Sequence, residues 1–205
     1  MRTLSICIAL GCGLAALFGR PGAAAAGEVA TPSFDCHRAN GSVQKLICSD
    51  SGLMVLDRRM ASVYAAALAK SANQHPPVLK AEQRGWIKGR DDCWKSADLR
   101  ACVQDSYRQR IAELQARYAL VAAHGPFAYA CNGSASDELV ATFYATDPAT
   151  AIVERGDRSV LMFQQPSASG ARYAGPNETF WDKGGEARVT WGYQAPAMSC
   201  RRKDG

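Results

Sequence analysis

Apolar positions along this chain change their period once, and the change divides it. From residue 49 to 121 they recur at helical spacing. Leu53, Leu56, Met60, Val63, Tyr64, Ala67 and Leu68 form one stripe. Ser49, Asp50 or Ser51 can cap its start, because a short side-chain oxygen there accepts from an unpaired first-turn N–H. Asn73-Gln74-His75-Pro76-Pro77 ends it, since proline cannot continue the backbone bonding. The pattern predicts a second helix over 77–92, with Leu79, Gln83, Trp86 and Ile87 facing inward. Gly85 and Gly89 weaken it by about 1 kcal/mol each relative to alanine. A third helix carries Val103, Tyr107, Ile111, Leu114, Tyr118 and Val121 on its apolar side. Its other side alternates Asp105, Arg108, Arg110, Glu113 and Arg117, the pattern of a solvated helix face.

After Ala122-Ala123-His124-Gly125-Pro126 the period falls to two. Residues 127–131, 139–144, 151–155, 159–164 and 187–192 alternate. Turn-forming clusters separate them at 132–136, 147–148, 156–157, 175–177 and 183–185. Many short strands at close spacing predict a small antiparallel barrel or sandwich. The expected organisation is therefore a helical domain over 33–124 followed by a β-domain over 127–201.

The first 26 residues differ from both. Met1-Arg2-Thr3 is a short basic start, residues 4–18 are almost entirely apolar, and 23–26 offer a small-residue cleavage site. This is the layout of a secretory signal peptide cleaved near Ala26, and it implies a periplasmic protein. Ala9-Leu10-Gly11-Cys12 also has the form of a lipoprotein cleavage box, but lipidation of Cys12 would leave an unusually short signal.

Export changes the meaning of the cysteines. Cys7 and Cys12 lie in the signal, and Cys36, Cys48, Cys93, Cys102, Cys131 and Cys200 remain. An even set in an oxidising compartment predicts disulfides. Cys131 and Cys200 sit in the first and last strands, and joining them is worth roughly 4 kcal/mol in the chain-entropy picture. The other four pair either locally, as Cys36–Cys48 and Cys93–Cys102, or across a helical hairpin that brings Cys48 to Cys93. No Cys-x-x-Cys spacing occurs and only three histidines are present, so neither zinc nor another cofactor is expected.

Charge is asymmetric. Residues 33–124 hold 14 Lys/Arg against 9 Asp/Glu, whereas 127–205 hold 8 against 9. The basic half suits an anionic envelope surface, peptidoglycan or lipid. Nucleic acid is excluded by export and by the lack of interleaved aromatics.

Motifs sharpen the reading of the β-domain. Tyr129-Ala130-Cys131 is followed by Leu139-Val140-Ala141-Thr142-Phe143-Tyr144. Ser167-Ala168-Ser169-Gly170-Ala171-Arg172-Tyr173, Phe180-Trp181-Asp182-Lys183-Gly184, Glu186-Ala187 and Cys200 come next. In this order they resemble the membrane-bound and periplasmic inhibitors of c-type lysozyme, the MliC/PliC family. The resemblance implies a small β-barrel closed by one disulfide. It also implies that Ser169 and Lys183 enter the lysozyme active site; Gly170 and Gly184 beside them allow close approach, Arg172 and Tyr173 are candidates for the border of this plug, and Tyr173, Phe180, Trp181 and Trp191 read first as core and rim. The helical half carries Phe34-Asp35-Cys36, Lys45-Leu46-Ile47-Cys48, Leu56-Asp57, Tyr64, Gln83-Arg84-x-Trp86, Arg90-Asp91-x-Cys93, Cys102, Tyr107 and Arg110-Ile111. It resembles the LprI-like family, named for a lysozyme-inhibiting lipoprotein.

Two other functions compete with inhibition. A Ser/Lys hydrolase is disfavoured, because the Ser-x-x-Lys spacing and a nucleophile elbow are both absent; the protein is expected not to be an enzyme. An envelope-binding module is the stronger rival, with the helical domain docking and the β-domain secondary. The plainest alternative for the motif itself makes Ser169-Gly170 and Lys183-Gly184 ordinary hairpin turns with a solvated lysine.

Overall fold

The computed structural model describes residues 31–73 and 78–203. The expected signal peptide, Cys12 and the prolines at 76 and 77 lie outside those residues. Among the described residues there are two separate hydrophobic cores, one among helices and one inside a barrel.

Four helices form the first. They are α1 (Ser42–Ser49), α2 (Ser51–Lys70), α3 (Val78–Asp91) and α4 (Leu99–Arg117), with 3-10 turns at Cys36–Arg38 and Asp92–Lys95. The periodicity predicted three helices and missed α1. Asp50 separates α1 from α2. Its backbone is extended, its N–H donates to the Leu46 carbonyl at 3.0 Å, and its carboxylate accepts from the Leu53 N–H at 3.0 Å. One residue thus closes one helix and caps the next. Arg100 adds a bond to the same carboxylate at 2.7 Å and, with the cap, holds Asp50 below its ordinary pKa.

Leu53, Met60, Ala67, Leu79, Val103, Tyr107, Ile111 and Leu114 pack the helical core. Ile87, expected inward, is 39% exposed. Arg110, expected on a solvated face, is buried. Its Nε donates to the Gln83 Oε1 at 3.2 Å and its Nη1 to Glu113 at 2.8 Å. These partners account for the departure, since hydrogen bonds and nearby carboxylates offset the burial of a guanidinium, although its Nη2 has no hydrogen-bond partner and only Glu82 at 3.8 Å. The cysteines pair locally: Cys36–Cys48 ties the first 3-10 turn to α1, and Cys93–Cys102 ties the second to α4. Cys93 lies where the chain turns from α3 toward α4, so Cys102 is its neighbour rather than Cys48.

The second core fills a closed barrel of eight antiparallel strands in sequence order. These are β1 (Ala123–Cys131), β2 (Ser134–Tyr144), β3 (Thr150–Arg155), β4 (Arg158–Gln165), β5 (Ala171–Ala174), β6 (Glu178–Lys183), β7 (Glu186–Trp191) and β8 (Met198–Arg202). The all-α plus all-β division expected from the pattern is what the chain adopts, and the barrel replaces the sandwich alternative. Tyr129, Leu139, Val153, Met162, Phe180 and Val189 point inward. Cys131 lies directly opposite Cys200 where β8 meets β1, and their disulfide staples that seam.

Candidate functional site

Strand direction decides what meets at each end of the barrel. In an antiparallel barrel with neighbours in sequence order, β2, β4, β6 and β8 all run toward one end. The β4–β5 loop and the β6–β7 turn are therefore side by side there. Ser169 and Gly170 belong to the loop, and Lys183 is the last residue of β6.

Backbone contact brings the two segments together. Ala171 pairs with Asp182, which puts Gly170 against Lys183. Gly170 has a φ of +68°, and a Cβ there would collide with the Asp182 carbonyl oxygen and lie 3.1 Å from the Lys183 Cβ. Only glycine meets both conditions without displacing the loop. The Trp181 Nε1 donates to the Ser169 carbonyl oxygen at 2.9 Å, and the Ser167 hydroxyl donates to the same oxygen at 2.7 Å. Across the turn, Gly184 and Gly185 have φ of +63° and +86° between the paired Lys183 and Glu186. Positive φ at both central residues suits the twist of a two-residue hairpin.

The result is a pinned backbone with free side chains. Ser169 and Lys183 are exposed, and among the described residues neither the hydroxyl nor the ammonium has a hydrogen-bond or ion-pair partner. A Cβ at Gly184 would meet nothing within 4 Å. Arg172 projects outward opposite Trp181. Tyr173 does not border the exposed surface; it is buried inside the barrel, with its ring 5.4 Å from that of Phe143. Burial, then the Asp182 charge, raise the Tyr173 hydroxyl above its ordinary pKa. Burial likewise raises the Asp182 carboxyl, and the Gly185 N–H donating to it at 3.2 Å offsets part of that shift.

A groove of about 820 Å³ opens beside Lys183 on the outer wall, lined by Trp181, Glu186, Arg188 and Arg201. The helical core has its own cavity of about 500 Å³ beneath Phe34, Tyr64 and Trp86. Its charged floor is internally committed. Tyr107 donates to Asp57 Oδ1 at 2.7 Å and accepts from Arg90 Nη1 at 2.7 Å, while the Ser33 N–H donates to Asp57 Oδ2. The Arg90 guanidinium lies 5.4 Å from the ring centres of both Trp86 and Tyr107. This knot holds α2, α3 and α4 together.

Both halves match known families. A family model described as membrane-bound lysozyme-inhibitor of c-type lysozyme (MliC) matches residues 129–198. Another, described as lysozyme inhibitor LprI, matches residues 36–114. Lipoprotein LprI of Mycobacterium tuberculosis and that of Mycobacterium bovis are each 33% identical to this chain over 189 residues, covering 92% of it and 93% of their own length. The chain belongs to the LprI family. Among solved structures, Pseudomonas aeruginosa MliC in complex with hen egg white lysozyme is 23% identical, with a TM-score of 0.34, over 40% of this chain and 86% of that one.

In this LprI-family protein the MliC match contains Ser169, Gly170, Arg172, Tyr173, Lys183 and Gly184. The LprI match contains Asp57, Arg90 and Tyr107. The motif reading took Trp181 only as core or rim. Its bond to the Ser169 carbonyl spans twelve residues and is set by the β5–β6 register, for which the chain carries no local signal.

Proposed function

We propose that this protein inhibits c-type lysozyme by inserting Ser169 and Lys183 into the enzyme's active site, and so protects the bacterial cell wall. The observation that carries the reading is the pair of exposed, unpartnered side chains held on an anchored backbone at one barrel end. A c-type lysozyme cleaves with two carboxyl groups, one kept protonated and one ionised. The Lys183 ammonium is a compact charge on a long stem and suits the ionised group. The Ser169 hydroxyl both donates and accepts, and so can pair with the protonated one. Nothing in this chemistry requires turnover; the protein acts as a binder, in keeping with the inhibitor families it matches. Export to the periplasm, through the signal peptide expected over 1–26, places it where wall and lysozyme meet.

Removing one partner of a desolvated charge pair typically costs about 2–5 kcal/mol of binding. Lys183→Ala is therefore expected to weaken inhibition about 30-fold or more in a lysozyme activity assay. Inhibition equal to the parent's would refute the plug.

A further inference from the structure

The plug end of the barrel is not open on every side. The chain enters β1 from α4 at this same end, where Ala123 pairs with Tyr144 at the close of β2. The β2–β3 loop, also at this end, carries Asp147 onto Arg108 of α4. Two clefts lie between α4 and the barrel. One, of about 160 Å³, has Ser106 and Gln109 on one wall and Phe163 on the other. The second, of about 230 Å³, sets Asp105, Arg108 and Gln109 against Pro148, Gln164 and Gln165.

Distance makes this neighbourhood consequential. Gln165 ends β4, and Ser169 follows four residues later. Four residues reach at most about 14 Å even when fully extended. A standard protein–protein contact covers about 800 Å² on each partner, a disc of about 16 Å radius. A protein seated on Ser169 with a footprint of ordinary size therefore reaches Gln165 at the rim of the second cleft, whose opposite wall is α4. That wall does not present the positive charge of its domain, because Arg108 is engaged by Asp147 and lies 3.9 Å from Asp105. Asp105 and Gln109 remain exposed on it.

We infer that α4 supplies a second part of the lysozyme-binding surface, with Asp105 and Gln109 forming a shelf that contacts the same lysozyme molecule that receives the plug. The inference rests on the plug reading above. It makes the two domains one binding surface rather than a plug with an unrelated companion.

The test uses the full chain and hen egg white lysozyme. Gln109→Arg adds bulk and charge to an exposed helix position without entering the core. It is expected to raise Kd about tenfold with an unchanged thermal midpoint. Hydroxyl-radical footprinting is expected to show Phe163 protected in the complex. Lys183→Ala, measured in parallel, reports the plug separately. Unchanged affinity for Gln109→Arg with Phe163 unprotected, while Lys183→Ala loses affinity, overturns the shelf and leaves the plug standing. Unchanged affinity for Lys183→Ala overturns the plug, and the shelf with it.

Discussion

A methyl group at position 170 would meet the Asp182 carbonyl oxygen on one side and the Lys183 side chain on the other. Position 184 has a comparable φ but nothing near it. The two glycines therefore separate steric collision from backbone strain. Gly184→Ala is expected to show strain alone, about 1–2 kcal/mol. Gly170→Ala adds the collision, so its thermal midpoint should fall further, and its inhibition of lysozyme should fall with it because the Ser169 loop must move away from β6. Equal midpoints and equal inhibition for the two variants would contradict this account. At this scale the motif was enough to single out Ser169, Gly170, Lys183 and Gly184. It left Tyr173 open between the core and the border of the plug, since one residue of strand register decides the face.

Periodicity carried most of the elements. Long stripes such as Leu53–Met60–Ala67 and Val103–Tyr107–Ile111–Leu114 announce α2 and α4, and alternation announces β1 to β4 and β7. Short elements escaped. The helix α1 has eight residues and β5 has four, too few to display a period against their surroundings. Polar residues inside the helical core were equally hidden, because Asp57, Arg90 and Arg110 find their buried partners, Tyr107 and Gln83, on helices distant in sequence. Tyr107 is the hinge of that knot, with its hydroxyl between the Asp57 carboxylate and the Arg90 guanidinium. Burial pushes the hydroxyl's pKa up, so it stays protonated and can donate. Tyr107→Phe keeps the ring but leaves two buried charges without their bridge. Denaturant unfolding should show a loss of about 1–3 kcal/mol. A loss well below this would mean that water or a shifted Arg90 replaces the hydroxyl.

On the scale of the molecule, each half is small and carries its own staples. The Cys131–Cys200 bond spans 69 residues, nearly the whole barrel, and joins its first strand to its last. Replacing both cysteines by alanine should destabilise the barrel by about 4 kcal/mol, read as a lowered barrel transition in thermal unfolding under non-reducing conditions. The helical core, with its own two local bonds, should keep its transition. An unaltered barrel transition would show that the closed strand ladder suffices without the covalent seam.

Composition and spacing by themselves predicted export and a disulfide-bearing α-then-β chain, and the ordered motifs named the residues of the candidate plug through their resemblance to a known family. Each of these depends on local pattern: a leader, an even cysteine set, a change of period, an ordered motif. Pairing among Cys36, Cys48, Cys93 and Cys102, the burial of Arg110, the Trp181 anchor on Ser169 and the position of α4 beside the plug came from the folded molecule alone. They rest on contacts between segments far apart in sequence, and those exist only once strand register and helix packing have placed the segments together.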